Sequence, residues 1–290
     1  MQIVFNILLV ASITSLIALS FSYLYYVTKY FCLHHAATIS FGAYFCFAFI
    51  GKFQLHLAIA IPLAILFSVL VGVLCEISIY SFLRKRNAPP LTFLIASIGL
   101  YTILQNIISI TWGDDVKTLQ QGAITEGHNF LGGYLTTIQI VSILVSFFLF
   151  GAAVLFMKHT SIGKRINAVS SNNELAQIQG INSNTIILIC FALGSGVGAL
   201  AGILTAIDTN MTPTFGFNLL LYGIVAMIIG GVGSYRGLLA GSLLVATAQH
   251  MAAYYIDTKW MDAIAYVILI LFLIWKPLGF SGQRLRKVEI

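Results

Sequence analysis

Three ionisable side chains lie inside or beside apolar stretches of the sequence, where acid–base or metal chemistry would depend on them. Glu76 falls within a long apolar segment, eight residues before the basic cluster 84–86, and His34 and His35 are adjacent. Carboxylates in apolar helices are costly and tend to be functional or paired, so we favour structural pairing for Glu76, with a gate or pathway role as the alternative. Adjacent histidines point about 100° apart on a helix and do not chelate one ion as an i, i+4 pair does, so we expect packing or pathway lining.

The sequence lacks the common catalytic and nucleotide-binding motifs. It has no HExxH, no GxSxG and no embedded pair of aspartates. The glycine-rich run IIGGVGSYRGLLAG, residues 228–241, contains no GxxxxGK(S/T), so the lysine and hydroxyl of a P-loop are missing. We therefore expect no catalytic residue, no metal site and no cofactor in this chain, and we expect these glycines to shape a tight turn between helices.

A second set of glycines indicates close helix packing. Gly194, Gly198 and Gly202 recur every four residues within LGSGVGALAG, so they share one helical face. Small residues at this spacing let two helix backbones approach closely in lipid. A nucleotide-binding glycine loop would follow a strand and open a helix, whereas these glycines lie inside an apolar helix.

The elements that position these residues are predicted to be membrane helices. Of the 290 residues, 59% are hydrophobic and 8% are charged, whereas soluble domains carry about 25% charged residues. The class is an all-α polytopic integral membrane helical bundle of about 8–9 transmembrane helices, forming one domain over residues 1–290. The predicted apolar segments are 5–27, 36–51, 56–82, 91–111, 136–157, 185–207, 217–232, 238–255 and 262–275. Segments 36–51, 217–232 and 262–275 are short enough to be re-entrant or tilted.

The basic residues support nine crossings with the N-terminus outside and the C-terminus in the cytoplasm. This arrangement places three basic residues on the outer side: Lys52, Lys117 and Lys259. It places the other twelve on the inner side: Lys29, Arg84, Lys85, Arg86, Lys158, Lys164, Arg165, Arg236, Lys276, Arg284, Arg286 and Lys287. Such a bias follows the positive-inside rule, and the acidic loop residues, Glu126 among them, agree. The net charge of +6 thus has a membrane explanation and requires no nucleic-acid partner.

Residues 158–184 form a polar loop between two apolar segments. Ser171-Asn172-Asn173-Glu174 has the S-x-x-E pattern of a capping box, and Gly180 stands where a left-handed residue would end the helix. The pattern predicts a helix of about eight residues with Leu175 and Ile178 on one face. So short a helix is marginal in isolation, and either it lies over its own bundle or it is a knob presented to a cytoplasmic partner.

Several stretches resemble a known family of transport proteins. Glu174-Leu175-Ala176-x-x-x-Gly180 is similar to the E-A-A-x-x-x-G loop of ABC-importer permeases, with Leu in place of the second Ala. Residues 161–182, 90–106 (PLTFLIASIGLYTILQN) and 212–241 resemble the branched-chain amino-acid permeases of the LivH type, and the similarity runs from about residue 11 to 280. Residues 32–36, Cys-Leu-His-His-Ala, share only His35 with the N-F-A-H-G of that family. If this stretch faces the solute route, the departure favours another amino acid or a small polar relative such as an amide or urea.

The resemblance implies a subunit of an ABC importer in the bacterial cytoplasmic (inner) membrane. It implies a second homologous permease chain, two ATPase subunits that bind ATP and Mg²⁺, and a periplasmic or surface solute-binding protein. The solute would be a branched-chain or related amino acid. The predicted ATPase-coupling residues are Ser171, Glu174, Leu175, Ala176, Ile178 and Gly180. The alternative is a stand-alone secondary transporter or channel for small polar solutes such as amides or urea, and an integral-membrane enzyme is a further rival.

A weak internal repeat suggests where a solute route would run. Segments 38–51 and 216–231 are both short and contain glycine, and each is followed by a long apolar helix and then by another apolar helix. Transporters are often built from such repeats, with the route at the junction. The predicted lining residues are therefore Thr38, Ser40, Gly42 and Tyr222. Gln105 and Asn106, polar near the end of the fourth segment, either bond between helices or line a vestibule.

Overall fold

The computed structural model describes residues 1–119, 127–130, 132–276 and 279–280. Two three-residue strands, β1 (His128–Phe130) and β2 (Gly133–Leu135), form an antiparallel hairpin that pairs Asn129 with Tyr134. The remaining elements are helices: α1 Gln2–Thr28, α2 His35–Gly51, α3 Leu57–Cys75, α4 Ser81–Lys85, α5 Pro90–Trp112, α6 Thr137–His159, α7 Ser161–Ser171, α8 Asn173–Ile178, α9 Ser183–Asp208, α10 Phe215–Gly230, α11 Tyr235–Tyr255 and α12 Met261–Trp275. A π-helical segment, Glu76–Tyr80, joins α3 to α4, and a 3₁₀ turn, Thr258–Trp260, precedes α12.

Each of the nine predicted apolar segments is helical. Six stretches within the described residues are long and apolar enough to cross a membrane: Gln2–Thr28, Leu57–Lys85, Pro90–Trp112, Thr137–His159, Ser183–Asp208 and Thr258–Trp275. The helices α2 and α10 are apolar but shorter, and α11, at 21 residues, is not among the six. The chain is therefore a helical membrane protein, while nine crossings and the internal repeat stay predictions. Glu126, Arg284, Arg286 and Lys287, which the charge argument used, lie outside the described residues.

The helix α1 lies at the centre of the bundle and packs against α6, α9, α10 and α11. Its residues from 11 to 24 are all buried, including several serines. The hydroxyls of Ser12, Ser15 and Ser20 each donate to the backbone carbonyl three residues earlier, at 2.7–2.8 Å. These bonds remove the penalty of burying a hydroxyl, so a serine-rich helix can occupy an apolar interior.

The three glycines spaced along α9 lie where α1 and α2 cross it. A Cβ at Gly194 would come within 2.8 Å of the carbonyl oxygen of Ser20 on α1. A Cβ at Gly202 would overlap the carbonyl oxygen of Ile39 on α2. A Cβ at Gly198 would meet the His35 side chain at 2.9 Å. A larger side chain at Gly194 or Gly202 would separate the helices, because the atoms it would meet include backbone carbonyl oxygens.

The glycine-rich turn between α10 and α11 forms as the sequence predicts. Gly231 and Gly233 have φ values of 91° and 82°, which residues with a Cβ rarely adopt. Ser234 then caps α11, its hydroxyl accepting a bond from the Gly237 amide at 3.2 Å.

Candidate functional site

The loop between α6 and α9 contains two helices rather than one. The first, α7, begins at the cap residue Thr160, whose hydroxyl accepts from the Gly163 amide at 3.0 Å. It packs against α1, α6, α8 and α9, and its buried residues are Gly163, Ile166, Val169 and Ser170. The opposite face exposes Lys164 and Arg165. An amphipathic helix with this buried face is fixed to the bundle.

The second helix, α8, is capped by a different residue from the one that the sequence pattern indicated. Ser171 is the last residue of α7, and it is Asn172 whose Oδ1 accepts from the Leu175 amide at 3.0 Å. The prediction of Ser171 as the cap and of an eight-residue helix was therefore wrong, and α8 has six residues. The reason is that α7 extends the helical backbone through Ser171, so the first extended residue, at φ −154° and ψ 110°, is Asn172.

The C-terminal end of α8 has the form of a Schellman motif. Gly180 has φ +80°, its amide donates to the Gln177 carbonyl at 2.9 Å, and the Ile181 amide donates to the Ala176 carbonyl at 3.0 Å. Ala176 is buried, and Ile181 is half-buried against the core. The prediction of a left-handed glycine at this position is confirmed.

The outward face of α8 is apolar. The side chain of Leu175 is 56% exposed and that of Ile178 is 81% exposed. A cleft of about 430 Å³ opens beside it, between α7, the Gly180 turn and the start of α9, and Arg165 and Gln179 contribute to its lining. The structure thus leaves Leu175, Ile178 and Gly180 exposed on one short segment, with Glu174 exposed beside them.

Substitution of either residue shows experimentally whether Ser171 or Asn172 caps α8. We expect Asn172→Ala to destabilise α8 by about 1 kcal/mol, because the Leu175 amide loses its acceptor. Ser171→Ala is the matched control, since the exposed Ser171 caps nothing, and it should be near neutral. Amide hydrogen exchange over residues 173–180 measures both, and equal protection in the two variants would contradict the Asn172 cap.

Glu76 is paired inside the bundle. It is 1% exposed and opens the π-helical segment, where it makes an ion pair with Arg84 through both carboxylate oxygens. Arg84 also donates to the Tyr30 hydroxyl at 3.3 Å. Our preference for structural pairing agrees with this geometry, in which residues eight apart on one helical stretch reach each other.

The two adjacent histidines are buried, and each makes its own polar contacts with different residues. The Nδ1 of His34 is 2.7 Å from the Tyr80 hydroxyl, while its Nε2 is buried and has no hydrogen-bond partner among the described residues. His35 lies between Ser20 and Thr38, each 3.1 Å from a ring nitrogen. No group of metal-ligating side chains is found in the part of the chain that the structure describes.

The four residues predicted to line a solute route are not gathered on one open surface. Thr38, Ser40 and Gly42 are buried. Ser68 donates to the Thr38 carbonyl at 2.7 Å, and a Cβ at Gly42 would lie 2.7 Å from Ala199. Tyr222 is half-exposed on α10 and donates to Asp262 near the start of α12. A role of these residues in transport stays a prediction.

Sequence reasoning missed α7, the contact of Tyr30 with Arg84 and the contact of Tyr80 with His34. The signals for α7 were present: Thr160 as a cap, then Ile162, Ile166 and Val169 at helical spacing. Tyr30 and Tyr80 carried no such signal, because their contacts depend on how the loop after α1 folds against the π-helical segment and α4.

Comparison with known proteins assigns this architecture to a transport family. The family model described as "Branched-chain amino acid transport system / permease component" matches residues 3–273. The high-affinity branched-chain amino acid transport system permease protein LivH of Escherichia coli K12 is 28% identical, over 98% of this chain and 96% of its own. The corresponding BraD of Pseudomonas aeruginosa is 26% identical with the same coverage. The ribose import permease protein RbsC of Haemophilus influenzae is 27% identical over 75% of this chain and 68% of its own.

A solved structure shares the fold at low sequence identity. It is described as PsaBC from Streptococcus pneumoniae in complex with Fab, and it superposes with a TM-score of 0.54 at 13% identity. The superposition covers 98% of this chain and 95% of the other. Because the family model spans nearly the whole chain, this protein belongs to the branched-chain amino acid transport system permease family.

Proposed function

We propose that this chain is the single-domain permease subunit of an ATP-driven importer in the bacterial cytoplasmic membrane, with its N-terminus outside and its C-terminus inside. It would pair with a second homologous permease, and two separate ATPase subunits would bind ATP and Mg²⁺ and supply the energy. A binding protein would deliver the solute, a branched-chain or related amino acid. The permease itself would catalyse no reaction. The matched family and the names of LivH and BraD support this proposal.

One observation carries the coupling proposal: the exposed apolar face of α8. Leu175 and Ile178 are exposed on a polar loop that leads into the start of α9, where Asn184 and Thr185 line one pocket together with Arg84 of the basic cluster 84–86. Large apolar side chains exposed on a loop outside the apolar segments are typical of a protein interface. We infer that the ATPase subunit accommodates this face.

The packing of the loop suits it to transmit force. The buried residues of α7 contact the central helices α1 and α9, and α8 follows α7 after the single residue Asn172. Gly163 of α7 packs directly on the backbone of Met157 of α6, since a Cβ at position 163 would lie only 2.6 Å from the Met157 Cα. A displacement of α8 therefore moves α7, and through it the core of the bundle.

Cysteine cross-linking tests this coupling proposal. We expect Ile178→Cys to form a cross-link to an ATPase subunit in intact membranes, with a yield that changes when ATP is bound and hydrolysed. Leu144→Cys on the exposed face of α6 is the matched control and should give none. If Leu175→Cys and Ile178→Cys both fail to capture an ATP-hydrolysing partner, the coupling proposal is wrong.

Uptake assays test the solute independently. A strain without this gene should lose high-affinity uptake of leucine, isoleucine or valine and regain it on complementation. RbsC, which is named for ribose import, is 27% identical to this chain. Ribose and small amides should therefore be tested in the same assay. If only the uptake of a sugar is lost, the solute is that sugar rather than an amino acid, and the coupling proposal is unaffected.

A further inference from the structure

The helix α5 differs from the other long apolar helices in the residues on its exposed face. Three of those helices, α3, α6 and α12, expose large apolar side chains, including Leu66, Leu70, Leu144, Phe148, Val267 and Ile270. The second half of α5 exposes Ile103, Ile107 and Ile110 in the same way, but beside them it also exposes Thr102 and Asn106 and half-exposes Gln105 and Ser109. These four polar residues recur at spacings of three and four, so they share one side of the helix.

The four side chains form a polar ladder from the middle of α5 to its end. Asn106 donates to the Thr102 carbonyl at 2.7 Å and to the Gln105 side-chain oxygen at 3.4 Å. Gln105 donates to the Ser109 hydroxyl at 3.3 Å, and Ser109 donates to the carboxylate of Asp114 at 2.5 Å. Asp114 is exposed in the loop after the helix, so the ladder continues to water.

A lipid-facing position is unfavourable for this ladder. Polar groups without partners are costly in hydrocarbon, and the amides of Gln105 and Asn106 have more hydrogen-bonding capacity than these contacts use. Within the described chain α5 packs mainly on α2, and the ring of Tyr101 packs at a tilt against that of Phe217 on α10, with 5.0 Å between the ring centroids. The exposed side of the ladder therefore contacts water or another protein.

The first half of α5 has the opposite character on the same side. Leu91, Ile95 and Ile98 are exposed there, three and four residues apart. A polar stretch open to water that leads to an apolar stretch has the profile of a vestibule above a hydrophobic constriction. A subunit contact alone would not require the polarity to change at the middle of the helix.

We propose that α5 lines the solute route between the two permease subunits. Thr102, Gln105, Asn106 and Ser109 form its vestibule on the side opposite α8, and Ile95 and Ile98 form the constriction. This inference rests on the proposed function, because it takes the route to lie between paired permeases. Amide and hydroxyl groups leading to the Asp114 carboxylate suit a small hydrogen-bonding solute with an ammonium group. This proposal places the route along α5 rather than at the buried residues Thr38, Ser40 and Gly42.

Thiol labelling in native membranes tests this proposal. Thr102→Cys and Asn106→Cys are treated with a charged, membrane-impermeant methanethiosulfonate reagent added from the outer side. The four native cysteines are buried and leave a low background. We expect both positions to react at least about ten-fold faster than Leu144→Cys and Phe148→Cys on α6, because lipid excludes the charged reagent. Ile95→Cys should be protected from the outer side when the transporter is at rest.

Two results would overturn the route. One is labelling of positions 102 and 106 as slow as that of position 144. The other is efficient cross-linking of Thr102→Cys to the second permease without labelling, which would make the ladder a subunit contact. The labelling rates at positions 102 and 106, relative to those at positions 144 and 148, are measured with and without the ATPase subunits. Absence of a co-purifying ATPase would therefore overturn the proposed coupling and leave the evidence on the route intact.

Discussion

Gly180→Val is expected to remove most solute uptake while the protein remains inserted in the membrane and its ATPase partners still hydrolyse ATP. Gly180 has φ +80°, and an L-residue in this region is strained by about 1–2 kcal/mol, with β-branched residues the least suited to it. About 1.4 kcal/mol changes an equilibrium about ten-fold. We therefore expect uptake to fall about ten-fold, because α8 loses the turn that orients it.

The space around Gly180 makes this a test of backbone conformation alone. A Cβ at this position would meet nothing within 4 Å, so a clash does not contribute. Gly180→Asn should retain most uptake, since Asn tolerates the left-handed region. Gly151→Val, in an equally open position on α6 without positive φ, controls for the added bulk. Initial uptake rates and ATP hydrolysis, normalised to the amount of protein in the membrane, are the measurements. Normal uptake in Gly180→Val would contradict the role of α8 as a coupling element.

The sequence predicts the helices well because membrane solvation leaves few alternatives. A run of apolar residues in lipid must satisfy its backbone hydrogen bonds internally, so segments such as 136–157 form helices wherever they lie in the bundle. Gly180 is predictable for a similar local reason, since its conformation depends only on how a helix ends.

The parts that the sequence does not predict depend on contacts between distant segments. The cap of α8 was misplaced by one residue because the extent of α7 is decided by Ile166 and Val169 packing against α1 and α9. The polar face of α5 could not be assigned from Gln105 and Asn106 alone. Only the placement of the other helices shows that this side of α5 is left uncovered.

Glu76→Ala is expected to lower the stability of the folded protein by about 3 kcal/mol. Removing one partner of a buried ion pair leaves the other charge without compensation, which costs about 3–5 kcal/mol. Arg84 retains 20% exposure of its side chain, so we expect the lower end of that range. Thermal unfolding of the detergent-solubilised protein measures the loss. Lys85→Met, which removes the exposed neighbouring charge, should have little effect.

The double variant Glu76→Leu/Arg84→Met separates a structural role from a gating role. Apolar replacement of a whole buried pair is often neutral or stabilising, so we expect this variant to recover most of the stability lost in Glu76→Ala. If Glu76 serves only to neutralise Arg84 beside Tyr30, uptake should recover together with stability. Recovery of stability without uptake would show that the carboxylate acts in transport, because the packing would be intact and only the charges would be missing. The π-helical segment that Glu76 opens would then be the element to examine, since it connects the buried pair to the rest of α3.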